Sequence, residues 1–161
     1  METKILKMSQ LNLPEYIFRI KKQNEKTLIF DSQRKRYVTL TPEEWVRQHF
    51  IRFLIEVKGY PTSYLAVEKQ LCLNGLKKRC DAILYNSERK AVLIIEFKAP
   101  NVPIKQETFD QVAVYNSKLK VDFFIISNGI EHYCCKVNVE TARYEFFPEI
   151  PDFNSLFVTN L

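Results

Sequence analysis

The run Ala91-Val92-Leu93-Ile94-Ile95 constrains this chain most, because it is apolar without a break and then stops at Glu96-Phe97-Lys98. Such a run argues for a strand buried on both faces, in the middle of a sheet. Side chains alternate along a strand, so Glu96 and Lys98 point one way and Phe97 the other. The preceding strand-like run, Arg79-Cys80-Asp81-Ala82-Ile83-Leu84-Tyr85, is joined to it by a turn at Asn86-Ser87-Glu88-Arg89-Lys90. Folded as a hairpin, the two runs bring Asp81 beside Glu96. The plainer alternative is a Glu96–Lys98 ion pair on a solvated strand end, and Val92 to Ile95 leave no polar face for such a strand to show to water. Two carboxylates and a lysine at the end of a central strand must be paired or bind a cation, since unpaired charge away from water is costly. A divalent metal is the natural partner.

The whole chain sets the frame around that hairpin. Its 161 residues suit one domain with a substantial core, and 46% hydrophobic with 27% charged residues fit a soluble globular protein. Within a single unit spanning 1–161, the expected parts are a β extension over 1–40, a core over 41–135 and a β element with a tail over 136–161. No apolar stretch reaches the length of a membrane span and the first residues lead into no signal core, so a cytoplasmic protein without membrane association is expected. The formal charge of +5 leans toward polyanions. Cysteines at 72, 80, 134 and 135 form no C-x-x-C, which argues against zinc or a disulfide framework and for reduced, buried thiols.

Taken in order, residues 1–13 read as a frayed lead-in. Glu15 to Lys21 and Thr27 to Phe30 suggest a hairpin and Arg36 to Leu40 another strand, an N-terminal β element that either braces the sheet or mediates dimerisation. Thr41-Pro42 is a helix start, with threonine as N-cap, proline at the first helical position and Glu44 completing a capping box. The helix runs to about Val57 before Gly59-Tyr60-Pro61, and its apolar face is Val46, Phe50, Phe53, Leu54 and Val57. Carried back one turn, that face reaches Glu43 rather than Glu44, unless both glutamates merely favour the helix N-terminus. Tyr64 to Leu73 reads as the first core strand, and its Glu68 either faces the cleft of Asp81 or pairs with a cation at an edge. Asn74-Gly75 is a turn. A helix from Gln106 to Leu119 puts Gln111 and Tyr115 on one face. Asp122 to Ser127 is a second apolar strand closed by Asn128-Gly129, followed by strands over Ile130 to Val137 and Ala142 to Phe147 and an extended tail from about Asp152. The strand–helix–strand step requires a parallel crossover, so the core reads α-β-β-β-α-β in an α/β fold.

At Asp81 and Glu96-Phe97-Lys98 the sequence resembles the PD-(D/E)XK nuclease superfamily, in which an acid on one strand precedes an (E/D)-x-K on the next. Cys80 stands where the name-giving proline would, a position that varies in the superfamily. Thr41-Pro42-Glu43-Glu44-Trp45-Val46-Arg47, Arg79-x-Asp81, Ile95-Glu96-Phe97-Lys98-Ala99-Pro100 and Gln111-x-x-x-Tyr115 together look like the N-terminal nuclease domain of type I restriction enzyme restriction subunits, over roughly residues 37–135. The resemblance implies a restriction-endonuclease-like fold with a central mixed sheet, and an intracellular bacterial protein. It implies that Asp81, Glu96 and the backbone carbonyl of Phe97 hold one or two Mg²⁺ (or Mn²⁺), and that Lys98 positions or deprotonates the attacking water. It makes Glu43 a supporting acid, and places Gln111 and Tyr115 beside the active site, against the lysine or a DNA phosphate.

The expected chemistry is metal-dependent hydrolysis of DNA. Lys77, Lys78 and Arg79, and secondarily Arg34, Lys35 and Arg36, are candidates for phosphate contacts, which supply affinity without sequence choice. No ATP-binding pattern G-x-x-x-x-G-K-[ST] occurs, so the chain is expected to be a stand-alone nuclease, a fragment, or a component that relies on another protein, such as other restriction-system subunits, for recognition and positioning. A homodimer or two recruited copies would supply the two centres a double-strand break needs. The rival readings are a non-catalytic DNA-binding or interaction module on a nuclease fold, and a nuclease acting on RNA or single strands.

Overall fold

The computed structural model describes residues 8–157 apart from 74, 139 and 142, and of 71, 73, 76, 78, 114, 115 and 117–119 it describes the backbone alone. Expectations that fall on residues 1–7 and on Asn74 lie outside the described residues.

The central run forms strand β6 (Ala91–Phe97) inside a six-stranded sheet. The order is β4 (Leu65–Leu73), β5 (Leu76–Tyr85), β6, β7 (Phe123–Ser127), β8 (His132–Asn138) and β9 (Arg143–Phe146). Every neighbouring pair is antiparallel except β6 and β7, which are parallel and joined by helix α2 (Gln106–Leu119). The expected α-β-β-β-α-β core is therefore present, led by helix α1 (Pro42–Glu56). Val92 to Ile95 are buried because β6 is covered on both faces. On one face, Leu93, Ile95 and Phe97 pack with Val46, Phe50 and Leu54 of α1. On the other, Ile94 joins Ile83 and Val121, beside a cluster in which Phe109 and Val112 of α2 meet Phe124 and Ile126.

A separate three-stranded sheet precedes this core: β1 (Ile20–Gln23), β2 (Lys26–Asp31) and β3 (Arg36–Thr39), antiparallel in that order. The expected hairpin exists, but its first strand begins at Ile20 rather than Glu15. The residues before it run along α1, where the Phe18 ring sits 4.8 Å from His49 and 5.7 Å from Trp45. Asn24 and Glu25 turn the hairpin with φ of 50° and 62°, the positive values that a two-residue hairpin turn requires.

Thr41 caps α1 as expected, its hydroxyl accepting the Glu44 N–H at 3.0 Å. The reciprocal half of the capping box is not made, because the Glu44 carboxylate is engaged by Arg34, Arg47 and Gln48 instead. Val57 lies past the last helical residue and is exposed rather than part of the apolar face.

Residues 8–13 of the lead-in and the segment that ends at Phe157 are held more firmly than expected. In the lead-in, Leu11 and Leu13 pack on the core, Trp45 Nε1 donates to the Ser9 carbonyl, and Asn12 N–H donates to the Gly129 carbonyl at 2.8 Å. Gly129 has φ +83°, and a Cβ there would stand 2.7 Å from Leu11, so only glycine fits. The segment expected as an extended tail forms a short helix, α3 (Phe153–Leu156). Phe153 covers Tyr60 and Tyr64, Leu156 is buried, and the Tyr60 hydroxyl donates to the Pro151 carbonyl. Three cysteines match expectation: Cys80, Cys134 and Cys135 are buried thiols, and burial pushes Cys134 and Cys135 up to about 12. Cys72 is the correction, being exposed on the β4–β5 hairpin, which lies beyond the covered part of the sheet. No helix among the described residues is long and apolar enough to cross a membrane.

The chain's two histidines both sit in this framework. His132 accepts from the Ser127 hydroxyl through Nδ1 and donates through Nε2 to the Asn12 carbonyl, and His49 donates to the Trp45 carbonyl. Burial holds both below their usual 6.5. A histidine depressed in the fold contributes stability that is intact above its unfolded pKa and is lost as the pH falls below it. The melting temperature should therefore drop between about pH 7.5 and about pH 5.5, and drop less in His49→Gln and His132→Gln. Equal slopes in all three proteins would refute this assignment.

Candidate active site

The site arises where β5 parts from β6. Their ladder runs from Tyr85–Ala91 to Ala82–Ile95, and the next step sets Asp81 across from Glu96. Asp81 Oδ2 there accepts the Phe97 backbone N–H at 2.7 Å, so a side-chain carboxylate stands in for a strand carbonyl. Lys98 N–H donates to the Ser127 carbonyl at 2.9 Å, which fixes the strand end against β7. The alternation of β5 breaks at the same place. Ala82 faces the α1 side, yet Cys80 packs with Ile83 and Ile94 on the other face. Opposite the break, Glu68 of β4 lies between the Val67–Ala82 and Lys69–Cys80 pairs with φ of 53°. A left-handed glutamate inside a strand is strained and persists only when its surroundings hold it there.

Those surroundings are ionic. Arg47 of α1 points into the break, its side chain only 6% exposed. Its Nη2 lies 2.6 Å from Glu68, 3.4 Å from Asp81 and 3.6 Å from Glu43, while Nη1 binds Glu44. Glu68 is held a second time by Arg79. Glu44 accepts also from Gln48 and from Arg34, and Arg34 pairs with Asp31 in turn. A continuous chain of charge therefore links β2, through α1, to Asp81. Behind it an open cavity of about 410 Å³ lies between α1 and the N-terminal strands, with Phe18, Phe30, Arg47, Gln48 and Ile51 in its wall.

Glu43 stands at the mouth of the site. Its carboxyl is raised above the usual range by burial and then by the charge of Asp81, against which Arg47 and Lys98 act. Glu43 is half-exposed, 3.6 Å from Arg47, and shares a field with Asp81, Glu68 and Lys98. The expectation that Glu44 turns away is corrected: Glu44 is the buried one of the two. It lies on a second inward face of α1, with Arg47, Gln48 and Ile51, which an apolar stripe does not reveal.

Asp81, the Phe97 N–H, Glu43 and Glu68 thus meet with Arg47 at one sheet opening; Lys98 acts on Glu43 through its charge, and register alone sets Glu96 across from Asp81. Gln111 is exposed on α2, and the Tyr115 side chain lies outside the described residues. Of the expected phosphate contacts, Lys77 is exposed, Arg79 is 69% exposed while pairing with Glu68, and the Lys78 side chain is outside the described residues. Arg34 is corrected: it is enclosed between Asp31 and Glu44, its side chain 13% exposed. Arg47 was without a role in the sequence, although its spacing of four from Glu43 and three from Glu44 is the ion-pair spacing of a helix.

The donor set suits a hard divalent cation: carboxylate oxygens from Asp81 and Glu96 and the carbonyl of Phe97. The charge suits it as well. Asp31, Glu43, Glu44, Glu68 and Asp81 exceed the guanidiniums of Arg34, Arg47 and Arg79 by two among the described residues, while the Glu43 carboxyl is raised first by burial and then by the Asp81 charge. Among the described residues no three His, Cys, Asp or Glu side chains are grouped as a metal site; the expected set takes two side chains and a carbonyl.

Residues 42–151 match the family described as type I restriction enzyme R protein N terminus. The chain belongs to this family. The match begins at the first residue of α1 and takes in every residue of the sheet opening. Among solved structures, the fold is similar to a fragment assigned to an HsdR subunit of a type I restriction enzyme from Vibrio vulnificus YJ016, with 20% identity and a TM-score of 0.52. That likeness covers 73% of this chain and 25% of the fragment, so this chain corresponds to a quarter of the length of the structure it resembles. No curated protein sequence matches the chain.

Within the family's fold, the ion chain makes a specific demand. Glu44→Ala would leave the guanidiniums of Arg34 and Arg47 without their shared carboxylate in a buried setting. We expect a loss of about 3–5 kcal/mol in urea unfolding, the usual cost of removing one partner of a buried pair. A loss near that of a surface pair, about 0.5 kcal/mol, would show that solvent replaces Glu44 freely.

Proposed function

We propose that this chain is a metal-dependent DNA endonuclease, the nuclease part of a bacterial, cytoplasmic restriction system. What carries the reading is the Asp81 carboxylate held by the Phe97 N–H at the parting of β5 and β6, with Glu43 and Lys98 in its field. Asp81, Glu96 and the Phe97 carbonyl would hold Mg²⁺ or Mn²⁺. Bound there, the ion supplies charge compensation for a phosphodiester and a more acidic water.

The protein's own groups do the remaining work. The Phe97 N–H orients Asp81 through Oδ2, and Oδ1 faces Arg47 Nη2 at 3.4 Å. Lys98, at the end of a strand pinned to β7, positions the attacking water and offsets charge on the scissile phosphate. Glu43 takes a proton more readily than an ordinary glutamate and supports the metal ligands from α1. Past Asp81, β4 and β5 continue as a two-stranded ribbon of five pairs, from Lys69–Cys80 to Leu73–Leu76. At about 3.3 Å per pair the ribbon reaches about 15 Å beyond the sheet. It carries Lys77, Lys78 and Arg79, which we assign to the DNA backbone, with Gln111 and Tyr115 of α2 as further contacts. Sequence recognition and translocation belong to other subunits of the system, and a double-strand cut needs a second copy of the centre.

One observation favours a second reading. Arg47 already approaches Asp81 at 3.4 Å, as it would in a module that binds DNA without cutting it. Incubation of supercoiled plasmid and of linear single- and double-stranded DNA with Mg²⁺, Mn²⁺ or EDTA separates the two. A nuclease nicks plasmid only with the metal, and Asp81→Ala and Lys98→Ala each lose about 100-fold or more. Cleavage that survives Asp81→Ala would refute the site, and metal-dependent binding without cleavage would select the module.

A further inference from the structure

Arg47 is bound unequally to its four carboxylates. Glu44 and Glu68 are close ties, and both acids are anchored from behind, Glu44 by Arg34 and Gln48 and Glu68 by Arg79. Asp81 and Glu43 lie farther off, at 3.4 Å and 3.6 Å. Nε, though buried, makes no hydrogen bond, and the cavity behind α1 is lined by Arg47 itself. The guanidinium is therefore held firmly at two acids and loosely at the other two, with space on its far side. A lysine could not reproduce this, because one ammonium lacks the planar fork that serves several carboxylates at once.

Resting on the nuclease reading above, we infer that Arg47 is a positioning residue, the resident cation of the acidic site. It keeps Asp81, Glu43 and Glu68 together while no divalent ion is bound, and it gives up Asp81 when one binds. Like-charged carboxylates in a partly desolvated opening repel one another, and one counter-charge must always be present. Before the ion arrives, Arg47 supplies it. Once the ion takes the Asp81 oxygens, the long contact to Arg47 competes with it, while the ties to Glu44 and Glu68 keep the side chain in place. The strained backbone of Glu68 belongs to the same device, since its carboxylate is where Arg47 and Arg79 meet.

The test uses the full chain, with Arg47→Met, Arg47→Lys and Asp81→Asn beside the parent. Thermal melting is followed in EDTA and across a Mn²⁺ titration, and Mn²⁺ affinity is measured by calorimetry. Arg47→Met should melt lower than the parent in EDTA, recover part of that loss as Mn²⁺ is added, and bind Mn²⁺ roughly fivefold tighter or more, the low end of coupling between two sites. Arg47→Lys should fall between, and provides the comparison if Arg47→Met does not fold. Asp81→Asn should lose the Mn²⁺ response. Equal destabilisation of the Arg47 variants with and without Mn²⁺, at the parent's affinity, would reduce Arg47 to a structural residue and overturn the inference while leaving the nuclease reading intact. If the parent itself neither binds nor is stabilised by Mn²⁺, the nuclease reading fails and the inference falls with it.

Discussion

The structure turns on how a sheet can keep several carboxylates at its opening without water to solvate them fully. Five acids and three arginines are linked from β2 to Asp81. A buried ion pair gains little over apolar packing, since desolvation offsets most of the attraction. Its persistence here therefore argues for work other than holding the fold, and the work on hand is keeping negative charge concentrated at one point. The proposed metal chemistry would need the very surplus that stability would remove.

The fold makes such a point available. β6 is parallel to β7 and covered by α1 on one face and by α2's side on the other, so the run Val92 to Ile95 cannot bend away from the core. β5 has no such restraint beyond Ala82, because its partner there is only β4. One rigid strand beside one released strand produces the divergence, and the Asp81 carboxylate bridges it by accepting the Phe97 N–H. A site built on strand ends is more rigid than one on loops, and rigidity of the ligands is what catalysis by positioning requires.

Much of this was legible in the residues. Ala91 to Ile95 fixed the buried strand, Thr41-Pro42 fixed the start of α1, and Gln106 to Leu119 proved to be the limits of α2. Asp81 and Glu96 fell on opposed strands because the Asn86 turn sets the register. Two things were not legible. Polar residues on a buried helix face carry no hydrophobic signal, so Glu44 read only as a capping residue and Arg47 had no role until their partners in the β2–β3 turn and on β4 and β5 were in place. Those partners are 10, 21 and 34 residues distant along the chain, and periodicity reports on near neighbours only. The second was the tail. Phe153 and Leu156 occupy one helical turn, too short to show a period, and they are helical because Tyr60 and Tyr64 give them an aromatic surface to cover.

The N-terminal strands gain a meaning from the same charges. The family match begins at residue 42, yet the first charged residue buried in α1, Glu44, is held by Arg34 from the turn between β2 and β3, and Arg34 by Asp31. Remove that segment and Glu44 keeps only Arg47 and Gln48; Arg47 is then drawn more strongly to Glu44 and has less reason to hold a fixed position toward Asp81. The three-stranded sheet also forms one wall of the cavity behind Arg47, through Phe30 and Asp31. It thereby sets both the anchor and the free space of the arginine that faces Asp81. An element that precedes the family-matched region in sequence is, in electrostatic terms, the far end of the candidate site.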